Sequence, residues 1–193
     1  MLIDFYIRAL DIILALIALF LTSPILIITS LIIRLDNSPT IFKQKRNGRT
    51  GSVFTIYKFR TMRVMENGDS EFQQATNNDD RYTAFGKFLR HYSIDELPQL
   101  VNVLKGDMSL VGPRPHALAH DRQFIDRISN YMNRYDVKPG ITGLAQIRGF
   151  RGETDTLEKM QNRVTADKEY IEKRSVRLYM RILRKTINGR FHE

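Results

Sequence analysis

Two neighbouring features in the middle of the chain combine residue types that can do phosphate chemistry. Asp95 and Glu96 are adjacent carboxylates, and a stiff basic turn, GPRP at 112–115, follows them after a short apolar run. A carboxylate can act as a covalent nucleophile or as a ligand of a hard metal ion. The guanidinium of Arg114 can match phosphate oxygens, and the prolines on either side of it restrict the backbone. Together they predict a site for a phosphorylated substrate.

The same two carboxylates also have a purely structural explanation. Ser93 and Glu96 have the spacing of a capping box, and Pro98 fits the first turn of the helix that would follow. In that case Asp95 and Glu96 only stabilise the positive end of a helix. The same helix end would attract a phosphate. The spacing therefore leaves the structural and the catalytic explanation open.

Other polar residues lie at the ends of predicted elements. Lys58 and Arg60 flank an aromatic residue at the end of a predicted strand, 53–59, where they could contact a phosphate or face solvent. Gln146 and Arg148 lie in a segment, 144–148, that is predicted as a strand. They follow a turn, 138–143, whose glycines would allow close approach of a ligand. Both side chains can reach polar groups.

Residues 12–33 carry no charge and are long enough to cross a hydrocarbon core of about 30 Å. Pro24 removes one helical hydrogen bond, and the hydroxyl of Ser23 can satisfy the freed carbonyl, which permits a sharp bend. Many spanning helices tolerate proline, so physical reasoning alone favours a spanning helix over a re-entrant one. Cations within 43–49 would keep the C-terminal side in the cytoplasm.

Composition narrows the partners and the chemistry. Lys and Arg total 30 against 21 Asp and Glu, a net charge of +9 that favours nucleic acid, anionic lipid or phosphorylated substrates. The absence of cysteine excludes disulfides, thiolate catalysis and cysteine-bound zinc.

Helices are predicted at 157–173 and 176–187, and the basic face of the second could lie on lipid or face solvent. Four other residues could bind a metal in principle, but their spacing matches no known metal-binding motif. They are therefore predicted to lie on the surface: His116, His120, Asp121 and Asp126.

The run 93–115, SIDELPQLVNVLKGDMSLVGPRP, resembles the catalytic core of the bacterial sugar transferases, the monotopic polyprenyl-phosphate phosphoglycosyl transferases. Similarity covers nearly the whole chain, which resembles the minimal catalytic form and is most similar to undecaprenyl-phosphate glucose phosphotransferases. Members carry a re-entrant helix broken at a Ser-Pro pair, so the resemblance favours that topology here. Further matches are Ser23-Pro24, KFRTM at 58–62, PGITGLAQ at 139–146, and Asp167 with Tyr170.

This resemblance implies transfer of a hexose 1-phosphate from a UDP-sugar to undecaprenyl phosphate, with Mg²⁺ and release of UMP. Asp95 would be the nucleophile that becomes phosphorylated, and Glu96 together with Asp95 would hold the metal. The run RGET at 151–154 is similar to members that use UDP-glucose. Tyr179 stands where the family often has an aspartate, which puts the role of that acid in doubt. The substrate-binding candidates are Arg114, Arg90, Arg60, Lys58, Gln146 and Arg148.

The expected architecture is α/β, mostly helical with few short strands. Residues 1–35 would form a membrane-inserted helix-break-helix, and 36–193 a catalytic domain with amphipathic interfacial helices on the cytoplasmic face of the bacterial inner membrane. The expected partners are a UDP-sugar, undecaprenyl phosphate and membrane lipids, without nucleic acid, and a homo-oligomer is left open. The reaction would be the first membrane step of exopolysaccharide, capsule, lipopolysaccharide or glycoconjugate synthesis.

Two other function classes stay open. A membrane-anchored basic protein without catalysis would bind nucleic acid or anionic lipid, in a salt-sensitive manner that survives loss of Asp95. A membrane phosphohydrolase would use water as the final acceptor and would release free sugar phosphate without any lipid.

Overall fold

The computed structural model describes residues 2–35, 39–63 and 79–189. Helices dominate and the strands are few and short, so the predicted α/β class is confirmed. Short 3₁₀ turns at Arg49–Gly51, Ile94–Glu96 and Tyr131–Tyr135 join some of the elements. In chain order the main elements are α1 (Leu2–Arg34), β1 (Ile41–Asn47), β2 (Val53–Phe59), α2 (Ala84–His91), α3 (Gln99–Lys105), β3 (Ser109–Val111), α4 (Leu118–Phe124), β4 (Gly140–Thr142), α5 (Leu144–Ile147), α6 (Leu157–Glu172) and α7 (Val176–Ile187).

The strands form two small pairs. β1 and β2 make an antiparallel hairpin, and β3 and β4 are parallel. The strand predicted at 53–59 is therefore confirmed, as are the helices predicted at 157–173 and 176–187. The strand predicted at 144–148 is wrong because these residues form α5. Residues 144–147 are all buried, so their burial has no period that separates a strand from a helical turn.

Backbone contacts hold the GPRP turn against the turn before α5. The N–H of Gly112 donates to the carbonyl of Thr142 at 2.8 Å, and the N–H of Gly140 donates to that of Pro113 at 2.9 Å. A Cβ on Gly140 would lie only 2.0 Å from the nitrogen of Gly112. Glycine at 140 therefore allows close approach of the GPRP turn, whereas the sequence had indicated approach of a ligand.

Helix α1 is long and apolar enough to cross a membrane, and large side chains along it, such as Phe20 and Leu31, are exposed. This surface fits a membrane anchor. The predicted interruption at Ser23 and Pro24 differs from the structure, in which the chain is helical throughout Leu2–Arg34. The Ser23 hydroxyl donates to the carbonyl of Phe20 at 2.8 Å. That carbonyl is the one Pro24 cannot bond, so the helix continues without losing a partner there.

Two charged residues fasten the first half of α1 to the rest of the protein. The guanidinium of Arg8 donates to the carbonyls of Val103 at 2.6 Å and Leu104 at 2.8 Å, at the C-terminal end of α3. Oδ1 of Asp11 accepts hydrogen bonds from Leu110 N, Ser109 Oγ and Tyr179 Oη at 2.7 to 2.9 Å. The division into a membrane-inserted segment, residues 1–35, and a catalytic domain, residues 36–193, stays a prediction.

The prediction that His116, His120 and Asp121 lie on the surface is wrong, because all three are buried; Asp126 is exposed as predicted. The segment after the GPRP turn divides into α4 and the 3₁₀ turn Tyr131–Tyr135, which fold against each other. Their polar groups then meet inside the protein. Asp121 accepts hydrogen bonds from two tyrosine hydroxyls, and Nδ1 of His116 lies 2.8 Å from one of them.

We expect Arg8→Met to lower the free energy of unfolding by about 1–3 kcal/mol, since it removes two charge-assisted hydrogen bonds to the end of α3. The measurement is thermal unfolding in detergent micelles. Arg34→Met provides the control, because Arg34 is exposed at the last residue of the same helix. Equal unfolding temperatures for the two variants would contradict the inferred role of Arg8.

We also expect stability to decrease as pH falls below about 6.5. Burial, with the charges of Arg134 and Arg163, holds the pKa of His116 well below its usual range, and burial lowers the pKa of His120 to about 4. The unfolded chain therefore takes up protons before the folded chain does. His120→Asn should flatten this decrease between pH 6.5 and 5 by at most about 2 kcal/mol, measured by thermal unfolding. His91→Asn, at an exposed position in α2, is the control variant.

Candidate active site

The adjacent carboxylates lie in the 3₁₀ turn Ile94–Glu96, between α2 and α3. The predicted capping box is wrong. Ser93 has a left-handed backbone conformation with φ of 57°, and its side chain forms no capping hydrogen bond. An N-cap residue normally has extended backbone angles, so this conformation removes the capping geometry. Both carboxylates are instead buried, Asp95 at 5% and Glu96 at 7% exposure.

Glu96 is bound by two cations from different segments. Nζ of Lys58, near the end of β2, donates to Oε1 at 2.9 Å. The guanidinium of Arg114 donates to Oε1 at 2.5 Å and to Oε2 at 3.1 Å, in a two-pronged arrangement. Burial alone would raise the pKa of Glu96, but the charges of Arg114 and Lys58 hold it well below its usual range. Glu96 is therefore ionised and joins three parts of the fold.

Asp95 has a different environment, although it is the next residue in the chain. Its carboxylate receives no hydrogen bond and no ion pair from residues 2–35, 39–63 or 79–189. Burial raises its pKa, and the charge of Lys58 opposes that effect. The carboxylate of Glu96 is thus bound by two cations, whereas that of Asp95 is available for reaction. This division suits a nucleophile beside an anchoring acid.

The GPRP turn is fixed by an arginine that the sequence analysis missed. Nη2 of Arg134 donates to the carbonyl of Arg114 at 2.9 Å and to Oδ2 of Asp167 at 2.7 Å. Arg134 is only 1% exposed, so this ion pair lies inside the protein. Asp167 was noted in the family resemblance, but no local pattern around Arg134 distinguishes it from a surface arginine.

Arg151 is a further cation that the sequence analysis did not place at the site. Its Nη2 donates to Oγ of Ser93 at 2.6 Å, two residues before Asp95. Burial lowers the pKa of Arg151, and the charges of Glu96 and Asp95 act in the opposite direction. The only sequence signal was the RGET run, which had been associated with the choice of sugar.

Two further predicted substrate-binding arginines lie at the C-terminal ends of α2 and β2. Arg90 is exposed near the end of α2, with its guanidinium 4.7 Å from the centre of the Tyr82 ring, and its charge partly opposes the burial that raises the pKa of Asp95. Arg60 directly follows β2, and its backbone N–H donates to Thr40 at 3.0 Å. Their contacts with a substrate stay a prediction.

The other two candidates, Gln146 and Arg148, have partners elsewhere. Nε2 of Gln146 donates to the carbonyl of Ile141 at 2.9 Å, and its Oε1 is buried without a hydrogen bond in the described protein. Arg148 is exposed and forms a two-pronged ion pair with Glu169 of α6, at 2.5 and 2.9 Å. The structure therefore does not bring Arg148 to the paired carboxylates.

The site fits Mg²⁺ only together with a phosphorylated ligand. No cluster of three or more His, Asp or Glu side chains that could hold a metal occurs in the part of the chain that the structure describes. Mg²⁺ commonly uses one or two carboxylates, water and substrate phosphates, which suits Asp95 with Glu96. Lys58 and Arg114 now occupy the oxygens of Glu96, and substrate phosphates would compete for these cations.

The model of the bacterial sugar transferase family matches residues 3–193. The chain is 54% identical to the UDP-glucose:undecaprenyl-phosphate glucose-1-phosphate transferase of Escherichia coli (strain K12), over 93% of this chain and 39% of that protein. A transferase of the same name from Caulobacter vibrioides is 48% identical, over 93% and 67%. The exopolysaccharide production protein PSS of Rhizobium leguminosarum bv. phaseoli is 42% identical, over 93% and 92%. The chain thus spans less than half of the first relative, and it belongs to the bacterial sugar transferase family.

Proposed function

We propose that this protein transfers a hexose 1-phosphate from a UDP-sugar, with UDP-glucose as the preferred donor, to undecaprenyl phosphate. The observation that carries the proposal is the buried pair in which Glu96 is bound by Lys58 and Arg114 while Asp95 has no partner in the described ranges. The names of the relatives at 54% and 48% identity support this donor and this acceptor. The reaction would be the first membrane step of polysaccharide or glycoconjugate synthesis.

In the first step, a carboxylate oxygen of Asp95 attacks the phosphorus that carries the hexose. The bond from that phosphorus to the bridging oxygen breaks, and UMP leaves with the electron pair. Lys58 and Arg114 bind the phosphate oxygens, which replace part of their contact with Glu96. Because both cations are on rigid elements, they can stabilise the charge without first being ordered.

In the second step, a phosphate oxygen of undecaprenyl phosphate attacks the phosphoryl group on Asp95. The bond between phosphorus and the aspartate oxygen breaks, which restores the carboxylate and yields undecaprenyl diphosphate hexose. A covalent intermediate of this kind gives ping-pong kinetics. Asp95 and Glu96 would hold Mg²⁺ with the donor diphosphate, and the ion would supply neutralisation of the phosphate charge.

The protein would work at the cytoplasmic face of the inner membrane. The exposed apolar surface of α1 supports insertion. Three arginines on α7, Arg177, Arg181 and Arg184, are exposed and would face anionic lipid. This arrangement would keep the candidate active site at the membrane surface, close to the acceptor lipid.

We expect Asp95→Asn to abolish lipid-dependent UMP release, by on the order of 10³-fold or more, because the nucleophile is lost. The assay would measure UMP release from a panel of UDP-sugars in the presence of Mg²⁺, with and without undecaprenyl phosphate. Asp126→Asn, at an exposed position, is the matched control.

Full activity of Asp95→Asn would refute the proposed mechanism. Release that is independent of lipid would indicate a phosphohydrolase, and no release from any donor would indicate a binding protein.

A second prediction concerns the two-pronged contact of Arg114 with Glu96. Arg114→Lys keeps the charge but loses the fork, so we expect kcat/KM for the UDP-sugar to fall about 10- to 100-fold. Steady-state kinetics would measure the change. Arg122→Lys, at an exposed position in α4, is the control and should stay within about twofold of the wild type. Equal kinetics for both variants would show that Arg114 does not bind phosphate through its fork.

A further inference from the structure

Cations from three segments of the chain meet beside the C-terminal end of α3. Nζ of Lys138 lies 3.5 Å, and Nη2 of Arg8 lies 3.6 Å, from the position that a Cβ on Gly106 would take. Burial lowers the pKa of Lys138, and the charges of Arg8 and of the exposed Arg49 lower it further. The paired carboxylates precede α3 and Gly106 follows it, so about 10 Å of helix separates these cations from the candidate active site.

The carbonyls at the end of α3 are satisfied without Lys138. Arg8 donates to those of Val103 and Leu104 at 2.6 and 2.8 Å, and the carbonyl of Asn102 accepts from backbone N–H groups of the turn that follows. A guanidinium has five N–H donors in a fixed fork, so Arg8 can also donate to a further acceptor. The end of the helix therefore accounts for the position of Arg8 but not for that of Lys138.

The ammonium of Lys138 forms no hydrogen bond and no ion pair within the part of the chain that the structure describes, although the residue is half-buried. The two acids whose charges raise its pKa have other partners. Asp11 accepts its hydrogen bonds from β3 and α7, and Asp107 pairs with Lys105 at 3.3 Å. A half-buried ammonium beside like charges is unfavourable unless an anion compensates for them. This group of cations therefore has the character of an anion site.

The position of Arg8 on α1 fits the phosphate of a lipid headgroup. Phe5 and Ile12, which lie three residues before and four residues after Arg8, share its side of the helix and are exposed. The charge-free stretch, 12–33, begins about 6 Å along the helix axis from Arg8. The headgroup region extends about 5–7 Å beyond the hydrocarbon core on each side of a bilayer. With α1 inserted as proposed above, Arg8 lies at the depth of the lipid phosphates.

We propose that Arg8 and Lys138 bind the headgroup phosphate of an anionic phospholipid beside the point where α1 enters the membrane. The guanidinium can donate to one phosphate oxygen while the ammonium contacts another, and Arg49 adds attraction at longer range. The surplus of positive charge favours a headgroup with a net negative charge, such as phosphatidylglycerol, over a zwitterionic one. This inference rests on the membrane insertion proposed above, and it is independent of the identity of the donor sugar.

Lys138→Gln tests the site without removing a hydrogen bond or an ion pair of the described protein. Thermal unfolding of the full chain would be measured in non-ionic dodecyl maltoside micelles, alone and with phosphatidylglycerol, phosphatidylcholine or inorganic phosphate. Without any addition, Lys138→Gln should unfold at the temperature of the wild type or slightly above it, because repulsion from Arg8 and Arg49 is relieved. Lys168→Gln, at an exposed position in α6, is the control that removes the same charge.

We expect phosphatidylglycerol at about tenfold excess over its dissociation constant to raise the unfolding temperature of the wild type by about 3 °C or more. The reason is that a ligand that binds only the folded state stabilises it. Lys138→Gln should lose at least half of this rise, and Lys168→Gln should keep it. Phosphatidylcholine and inorganic phosphate at the same concentration should raise the unfolding temperature of the wild type less than phosphatidylglycerol does.

Several outcomes would overturn the assignment. No rise with phosphatidylglycerol, or an equal rise in the wild type and Lys138→Gln, would mean that the lipid does not bind here. Equal losses in Lys138→Gln and Lys168→Gln would mean that only net charge matters. An equal rise with inorganic phosphate that is lost in Lys138→Gln would mean that the site takes a soluble phosphate instead of a lipid.

Lipid-dependent UMP release by the wild-type protein is measured separately. Its absence with every donor would refute the proposed function without affecting the phospholipid site. Its presence, together with an equal rise in the wild type and Lys138→Gln, would refute only the phospholipid site.

Discussion

Keeping the carboxylate of Glu96 charged inside the protein is the constraint on which the site depends. A buried charge is stable only when cations and hydrogen bonds compensate for the water it has lost. Lys58 and Arg114 supply this compensation from two separate segments. Removing one partner of such a pair typically costs about 3–5 kcal/mol, so the contact fixes the end of β2, the 3₁₀ turn and the GPRP turn relative to one another.

The same ion pairs link stability to the chemistry we propose. Cations that satisfy Glu96 in the free protein are the groups that a donor diphosphate would need. The binding of substrate would then exchange one set of charge-assisted contacts for another, with little reordering of side chains. Arg134 reinforces this from the interior, because it pairs with Asp167 and donates to the backbone carbonyl of Arg114, whose guanidinium contacts Glu96.

Local signals predicted part of this arrangement. The apolar spacing of α6 and α7 and the strand β2 depend on side-chain periodicity, and all three were found where the sequence indicated. The capping box at Ser93 and Glu96 failed because both side chains have stronger partners that are distant in sequence, Arg151 and Arg114. The burial of His116 and the ion pair of Arg148 with Glu169 likewise depend on long-range contacts, which no short pattern encodes.

The grouping of Lys58, Glu96 and Arg114 could be expected only from resemblance to a family, since 38 residues separate the first two. Spacing alone could not distinguish an acid that caps a helix from one that anchors cations. Arg134 shows the limit of such reasoning. It is one of the most deeply buried side chains in the described protein, yet no motif in the sequence around it distinguishes it from a surface arginine.

The backbone contact between Gly112 and Gly140 has a consequence for exchanging segments between relatives. Two turns that meet without side chains between them are complementary in shape along their whole contact. A chimaera that imports 109–115 from one transferase and keeps 138–143 of another would therefore join surfaces that were not selected together. When segments are exchanged in this fold, the two turns should therefore be taken together from the same protein.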